Sequence, residues 1–260
     1  MDLRNKLSII QNLLSVNKFP QAIYNCHKLL KEYPEVAYIY NLCGLAYQGN
    51  REMIKSIEYF TKALHYEPQN IAAKNNIANS YKHINQNDKA EEIYKSIISD
   101  DPKNIKALNN YANLKKKFND FKGAKNLLIQ ALKVVENEPN ILFSLAECYQ
   151  SLGDLDEAKK YAFEILNTHP KNPLVYKFIS GIVDHSKDNS NLSSMKKILD
   201  SEDFSKFSSD QKTNLYFALG KAYEDIKDYE NSFKYLNKAN SEKNHQVNYH
   251  FIDEEKLFNN

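Results

Sequence analysis

Glycine and proline are scarce, at six and seven residues in a chain of 260. So few leave little material for the tight hairpin turns of a sheet protein or for a Gly-rich phosphate loop, so sheet-based enzymes are disfavoured and a mostly helical chain is favoured. Net charge is nearly absent as well. The 35 Lys+Arg almost cancel the 33 Asp+Glu to leave a formal +2, too small a field to drive binding to nucleic acid or to an anionic membrane. Neither is expected as a partner. Apolar residues nowhere run long enough to span a bilayer, and the first residues, MDLRNKLSIIQNLLSV, interleave Asp2, Arg4 and Lys6 with leucines at helical spacing. That pattern reads as a folded helix rather than a signal peptide. Cys26, Cys43 and Cys148 are odd in number and contain no C-x-x-C, as expected of small buried residues in a reducing compartment, so the cytoplasm is the expected location. The seven histidines fall in different segments without ligand spacing, which argues for surface or turn positions and for no metal or other cofactor.

What the chain does have is a period of thirty-four. Pro34, Pro68 and Pro102 are evenly spaced, Pro170 follows after twice that interval, and Glu136 stands where the missing proline would fall. Phasing on them gives five units, 3–36, 37–70, 71–104, 105–138 and 139–172, with large and small residues alternating at fixed offsets. In the second unit these are Tyr40, Gly44, Tyr47, Phe60, Ala63 and Pro68, in the third Lys74, Ala78, Tyr81, Tyr94, Ile97 and Pro102, and in the fifth Leu142, Ala146, Tyr149, Ala162, Ile165 and Pro170. Close packing explains them: a Gly or Ala in the first helix of a unit admits the second helix, and an early Ala there (Ala22, Ala90, Ala124, Ala158) does the reverse. Turn-prone pieces such as Gln48-Gly49-Asn50 and Leu152-Gly153-Asp154 sit between the helices at one offset. Each unit is therefore two antiparallel helices.

These residues at this spacing resemble the tetratricopeptide repeat. The resemblance covers nearly the whole chain and implies an all-α fold, a right-handed α-solenoid of helical hairpins whose concave face is lined by the first helix of each pair. Residues 1–172 are assigned to the five units.

Beyond Asn172 the array changes. The segment 173–212 is forty residues long, six more than the period, with a polar stretch around Asp188 to Ser194. Helices are expected from Leu174 to about His185 and from Leu192 to about Asp200. A loop 201–210 then carries two anchoring phenylalanines and offers Ser208, Ser209 or Asp210 as an N-cap. The register returns in a terminal hairpin over 213–246, and 247–260 is expected as a linker or capping helix. The hairpin residues Phe217 to Tyr223, Asp225, Asp228, Tyr229, Phe233, Leu236, Ala239 and Asn240 resemble the last repeat hairpin of bacterial tetratricopeptide-linked sulfotransferases. That implies the repeat region of a larger enzyme, a recruiting arm whose C-terminal catalytic domain is absent here; the alternative is a stand-alone adaptor assembling other proteins. Gly220 is the last glycine, so nothing later could cradle a phosphate, and no catalytic activity is expected of these residues.

Binding is the expected role. The sixth and ninth positions of a unit's first helix hold Asn76 and Asn79 in the third unit and Asn110 and Asn113 in the fourth, with Asn75 and Asn109 beside them. An Asn amide both donates and accepts, so a row of them can grip the backbone of an extended peptide. Asn76 and Asn110 resemble the asparagine ladder in the repeat region of O-linked N-acetylglucosamine transferases. Ser8, Leu42 and Ser144 stand at that place in the other units, so the ladder is short. Lys82 and Lys106 lie in a Lys-rich zone with Lys116 and Lys117, which favours an acidic segment. The carboxylate clamp of chaperone-binding repeats is disfavoured, because Asn75, Asn140 and Ser144 stand where it needs basic residues.

Overall fold

A computed structural model of the protein describes residues 2–247, with side chains through 244. The expected linker or capping helix over 247–260 lies, beyond Val247, outside the described residues. Two compact units divide at Glu136 and Asn137. The first holds α1 (Leu3–Ser15), α2 (Phe19–Glu32), α3 (Ala37–Gly49), α4 (Met53–Tyr66), α5 (Ile71–His83), α6 (Asn87–Asp100), α7 (Ile105–Lys117) and α8 (Phe121–Leu132). The second holds α9 (Pro139–Ser151), α10 (Leu155–Thr168), α11 (Pro173–Ser180), α12 (Ser190–Leu199), a 3-10 turn (Glu202–Lys206), α13 (Ser209–Asp225) and α14 (Tyr229–Val247). No strand occurs among the described residues, and none of their helices is long and apolar enough to cross a membrane.

Each of the five regular hairpins turns on one left-handed residue. Asn17, Arg51, Asn85, Asn119 and Gly153 all have positive φ and follow one another at the interval of the repeat. The amide of the following residue reaches back five, as in Glu52 N to Tyr47 O at 2.9 Å and Asp154 N to Tyr149 O at 3.0 Å. The left-handed residue itself reaches back three, as in Arg51 N to Gln48 O at 3.1 Å. These paired bonds are a Schellman motif, which satisfies the last carbonyls of one helix while reversing the chain. Lys227 repeats the motif in the terminal hairpin. It falls two periods and a further six positions after Gly153, as the longer segment before it requires.

Small residues against large ones set the spacing within a pair. A Cβ on Gly44 would lie 2.5 Å from the Phe60 ring, so α3 and α4 approach as closely as they do only because the side chain is missing. Ala78 and Tyr94, both fully buried, share the core at the corresponding place. A tyrosine pair recurs one turn further along: Tyr47–Tyr59, Tyr149–Tyr161 and Tyr223–Tyr235 stack with ring centroids 5.1, 5.5 and 5.5 Å apart.

The segment 173–212 departs from expectation. Its first helix ends at Ser180 rather than near His185, because side chains capture the amides that a longer helix would use. Asp184 Oδ1 accepts from Ser186 N at 3.0 Å and Asp225 Oδ2 from His185 N at 3.2 Å. The second helix runs Ser190–Leu199. Phe204 and Phe207 anchor the connection against the core that α13 shares with α14. Ser208 caps α13 in a reciprocal capping box with Gln211, so that helix starts four residues ahead of the repeat register. Of the histidines expected at surface or turn positions, His185 does lie in a turn but is 1% exposed there, and His27 departs from both, lying within α2, half-buried against Tyr47 and Tyr59.

Two expectations follow for stability. A Cβ on Gly153 would meet nothing within 4 Å, but φ is +83°, so Gly153→Ala loses about 1 kcal/mol from the backbone alone, read as a thermal midpoint lowered by roughly 3 °C. Glu91 ties α6 to α7: it takes a hydrogen bond from the Tyr111 hydroxyl at 2.8 Å and pairs with Lys95 at 2.7 Å and Lys115 at 3.4 Å. Chiefly the Lys95 bond, then Tyr111 and Lys115, hold its carboxyl at about 2 against an ordinary 4.5. A depressed carboxyl stabilises fully above its unfolded value and loses that contribution as pH falls from there toward about 2. Acid titration of Glu91→Gln, followed by circular dichroism, should therefore show a shallower stability loss over that window than the parent.

Candidate functional site

The asparagine-rich stretch is built on the first helices α5 and α7. Asn70 and Asn104 start them, each accepting from the amide three residues on, at 2.9 and 3.0 Å. Residues three and four apart on a helix are neighbours, so Asn75, Asn79 and Lys82 form one stripe on α5, and Asn109, Asn113 and Lys116 form the same stripe one period later on α7. Asn76 and Asn110 flank these stripes.

Each expected residue has a definite setting. Asn76 is half-buried, and its Nδ2 donates to Oδ1 of the buried Asn41 on α3 at 3.2 Å. Asn79 is half-buried, and its Oδ1 accepts from the hydroxyl of fully buried Tyr94 on α6 at 2.7 Å. Asn110 and Asn113 are half-buried and Lys106 is exposed. Asn75 is 4% exposed; its Nδ2 lies 3.5 Å from Asn104 Oδ1, while its own carbonyl oxygen, like that of Asn109, is buried without a hydrogen-bond partner. The fold thus brings Asn76, Asn79 and Lys82 onto one helix beside Asn110 and Asn113 on the next but one, and leaves Lys106 at the start of α7.

Lys82 is electrostatically unusual. It is half-buried in the last turn of α5, and among the described residues no carboxylate pairs with it. Burial, and then the charge of Lys117, lowers its pKa below 10.5. Lys117 itself donates to Asn85 Oδ1 at 2.8 Å across the neighbouring hairpin turn. A cation partly stripped of water beside another cation is a site that a carboxylate would relieve.

Sequence reasoning missed the partners that hold these side chains. Gln48 on α3 donates to Ser80 Oγ at 2.9 Å, and Ser80 meets Ser56 Oγ at 2.8 Å, both serines fully buried. The available signal was Ser56, which stands where other units have alanine. By offset alone Tyr94 fills the seam, yet its hydroxyl, which Phe60 lacks at the same offset, is the sign of a polar partner opposite.

Tetratricopeptide repeat family models match residues 37–70, 55–117, 116–182 and 213–245, together well over half of the sequence. The chain belongs to the tetratricopeptide repeat family. The matches stop at 182 and resume at 213, which leaves α12 and the 3-10 turn between them. No curated relative matches the chain. Among solved structures it is similar to a tetratricopeptide repeat protein from Parabacteroides merdae, at 16% identity over 92% of each chain with a TM-score of 0.63. It is similar also to the C-terminal part of a repeat-containing protein from Cytophaga hutchinsonii, at 12% identity over 89% of this chain and 93% of that one, TM-score 0.65. Pseudomonas aeruginosa PilF aligns at 18% identity over 78% of this chain and 89% of its own, TM-score 0.61. At such identities the likeness establishes the fold, an all-α tetratricopeptide solenoid. Proteins of this family commonly bind proteins or peptides, and a scaffold for protein interaction is the role that the repeat array supports.

Lys82→Met keeps the length of the side chain and removes the poorly solvated charge. We expect it to raise the thermal midpoint by roughly 2 °C at neutral pH, measured by calorimetry against the parent; an unchanged or lower midpoint would show that the ammonium is not penalised.

Proposed function

We propose that the protein is a non-catalytic scaffold whose repeat array binds an extended, acidic segment of a partner protein across α5 and α7. The observation that carries this reading is Lys82, a half-buried cation without a carboxylate of its own among the described residues, in line with Asn79. A ligand carboxylate at Lys82 would supply the missing countercharge, and the half-buried amides of Asn76, Asn79, Asn110 and Asn113 would bond the peptide backbone with little regard to its side chains. Lys106, exposed at the start of α7, adds attraction that speeds encounter more than it strengthens the complex.

The finer reading, a recruiting arm of a sulfotransferase, rests on the resemblance of the terminal hairpin from Phe217 to Asn240 alone. The general reading of an adaptor needs only the groove. Neither reading gives these residues a reaction to perform.

The test is a fluorescence-polarisation titration with a labelled peptide of alternating Asp and Ala. Saturable binding is expected, weakening as salt rises. Replacing Asn110 and Asn113 together by Ala should reduce affinity by about thirty-fold, from roughly 1 kcal/mol for each lost hydrogen bond, with helicity unchanged. Lys82→Met should abolish the preference for this peptide over one of alternating Ser and Ala. Binding that is absent in the parent, or indifferent to all of these substitutions, removes the groove from consideration.

A further inference from the structure

The two asparagines of α5 are not interchangeable amides. Asn76 donates one Nδ2 hydrogen to Asn41 Oδ1 at 3.2 Å, which fixes the amide with its nitrogen toward α3 and its carbonyl oxygen turned away from Asn41. Asn79 accepts from the Tyr94 hydroxyl through Oδ1 at 2.7 Å, which fixes the amide with its oxygen toward α6 and its N–H groups turned away from Tyr94. Both residues are half-buried, and neither Asn76 Oδ1 nor Asn79 Nδ2 is among the buried atoms lacking a partner. Three residues apart on one helix, the two side chains face the same way, about 5–6 Å apart at Cβ. An extended backbone advances about 3.3 Å per residue, so an N–H and a C=O recur along one of its edges within about 6.6 Å.

We infer that Tyr94 and Asn41 are positioning residues that polarise this site, so that Asn76 accepts from a backbone N–H of the bound segment while Asn79 donates to a backbone C=O. The inference rests on the peptide-binding reading above. It assigns the third unit a direction: a fixed acceptor followed by a fixed donor matches an extended chain in one orientation better than in the reverse. The fourth unit has no such device. Leu128 stands at the offset of Tyr94 and offers no hydroxyl to orient Asn113. The carbonyl of Asn75, which occupies the offset of Asn41, has no hydrogen-bond partner and so does not hold Asn110 as Asn41 holds Asn76.

The choice of Tyr94 gives a mild variant, because Phe60 already fills the same offset of the preceding unit. Tyr94→Phe removes one oxygen and leaves the ring. The probes are the labelled Asp–Ala peptide and its depsipeptide, in which alternate backbone amides are esters with no N–H and a weaker carbonyl acceptor. The parent should prefer the all-amide peptide by about five-fold or more. Tyr94→Phe should reduce that preference by roughly two-fold, leaving the share that Asn76 contributes through the backbone N–H, while the melting midpoint shifts by no more than about 2 °C, a change that loss of packing would not produce. Asn79→Asp, whose carboxylate still accepts from Tyr94 but donates nothing, should show the same partial loss when the uncharged Ser–Ala peptide and its depsipeptide are compared. If either variant keeps the parent's preference, the polarised pair is wrong although peptide binding stands. A parent that binds neither probe overturns the peptide-binding reading and this inference with it.

Discussion

The contact on which the rest depends is the seam inside the second, third and terminal hairpins, where a residue with little or no side chain in the first helix faces a large one in the second. Gly44 opposite Phe60 and Gly220 opposite Leu236 show how tight it is: a single added carbon would fall within 3 Å of its neighbour. Interiors packed at crystal-like density have no room to absorb that carbon without moving a helix. Because the seam fixes the distance between the paired helices, it also fixes what a longer side chain can reach. In the third unit the seam residue is Tyr94, its ring fully buried against the side of α5. A buried hydroxyl must find a partner, and the one the seam places within reach is Asn79. The orientation of a surface amide is therefore a consequence of core packing.

Between successive pairs the cohesion is more polar. Ser56 and Ser80 bond to each other without access to water, Gln48 joins them from α3, and Asn76 reaches back to Asn41. On the other side of α6, Glu91 gathers Tyr111, Lys95 and Lys115. Buried polar groups of this kind add only modest net stability when satisfied but are costly when mispaired. They make the register between neighbouring repeats specific, where apolar contact alone would tolerate sliding. The same network supplies the fixed partners of the candidate groove, so cohesion between repeats and orientation of the groove share residues.

Much of the fold was legible because it is periodic. Prolines at a constant interval located the hairpins, and the left-handed turn residues fall on the same period; the six extra residues before the terminal hairpin reappear in the position of Lys227. What escaped were the features that depend on partners far away in sequence. His185 ends up buried because Asp225, forty residues on, takes its backbone amide, and α11 is short for the same reason. A reading by offset asks whether a residue is large or small, and so counted Tyr94 with Phe60. It could name Asn76 and Asn79 as candidates but not tell acceptor from donor, since that depends on Asn41 and Tyr94, 35 and 15 residues away.

Lys82 bears on whether the groove is a site or merely a polar surface. A lysine stem can lie along a helix and release its ammonium to water at almost no cost, and that is what surface lysines do. Lys82 does not, although Glu91 on the adjacent helix already serves Lys95 and Lys115 and a single further carboxylate would have sufficed for it. A group held partly desolvated beside Lys117 lowers the stability of the folded chain at neutral pH. Marginally stable proteins keep such a burden where it is relieved by something they bind. On the function proposed above, that charge calls for an acidic group near the end of α5, and the amides of Asn76 and Asn79 for a peptide backbone beside it.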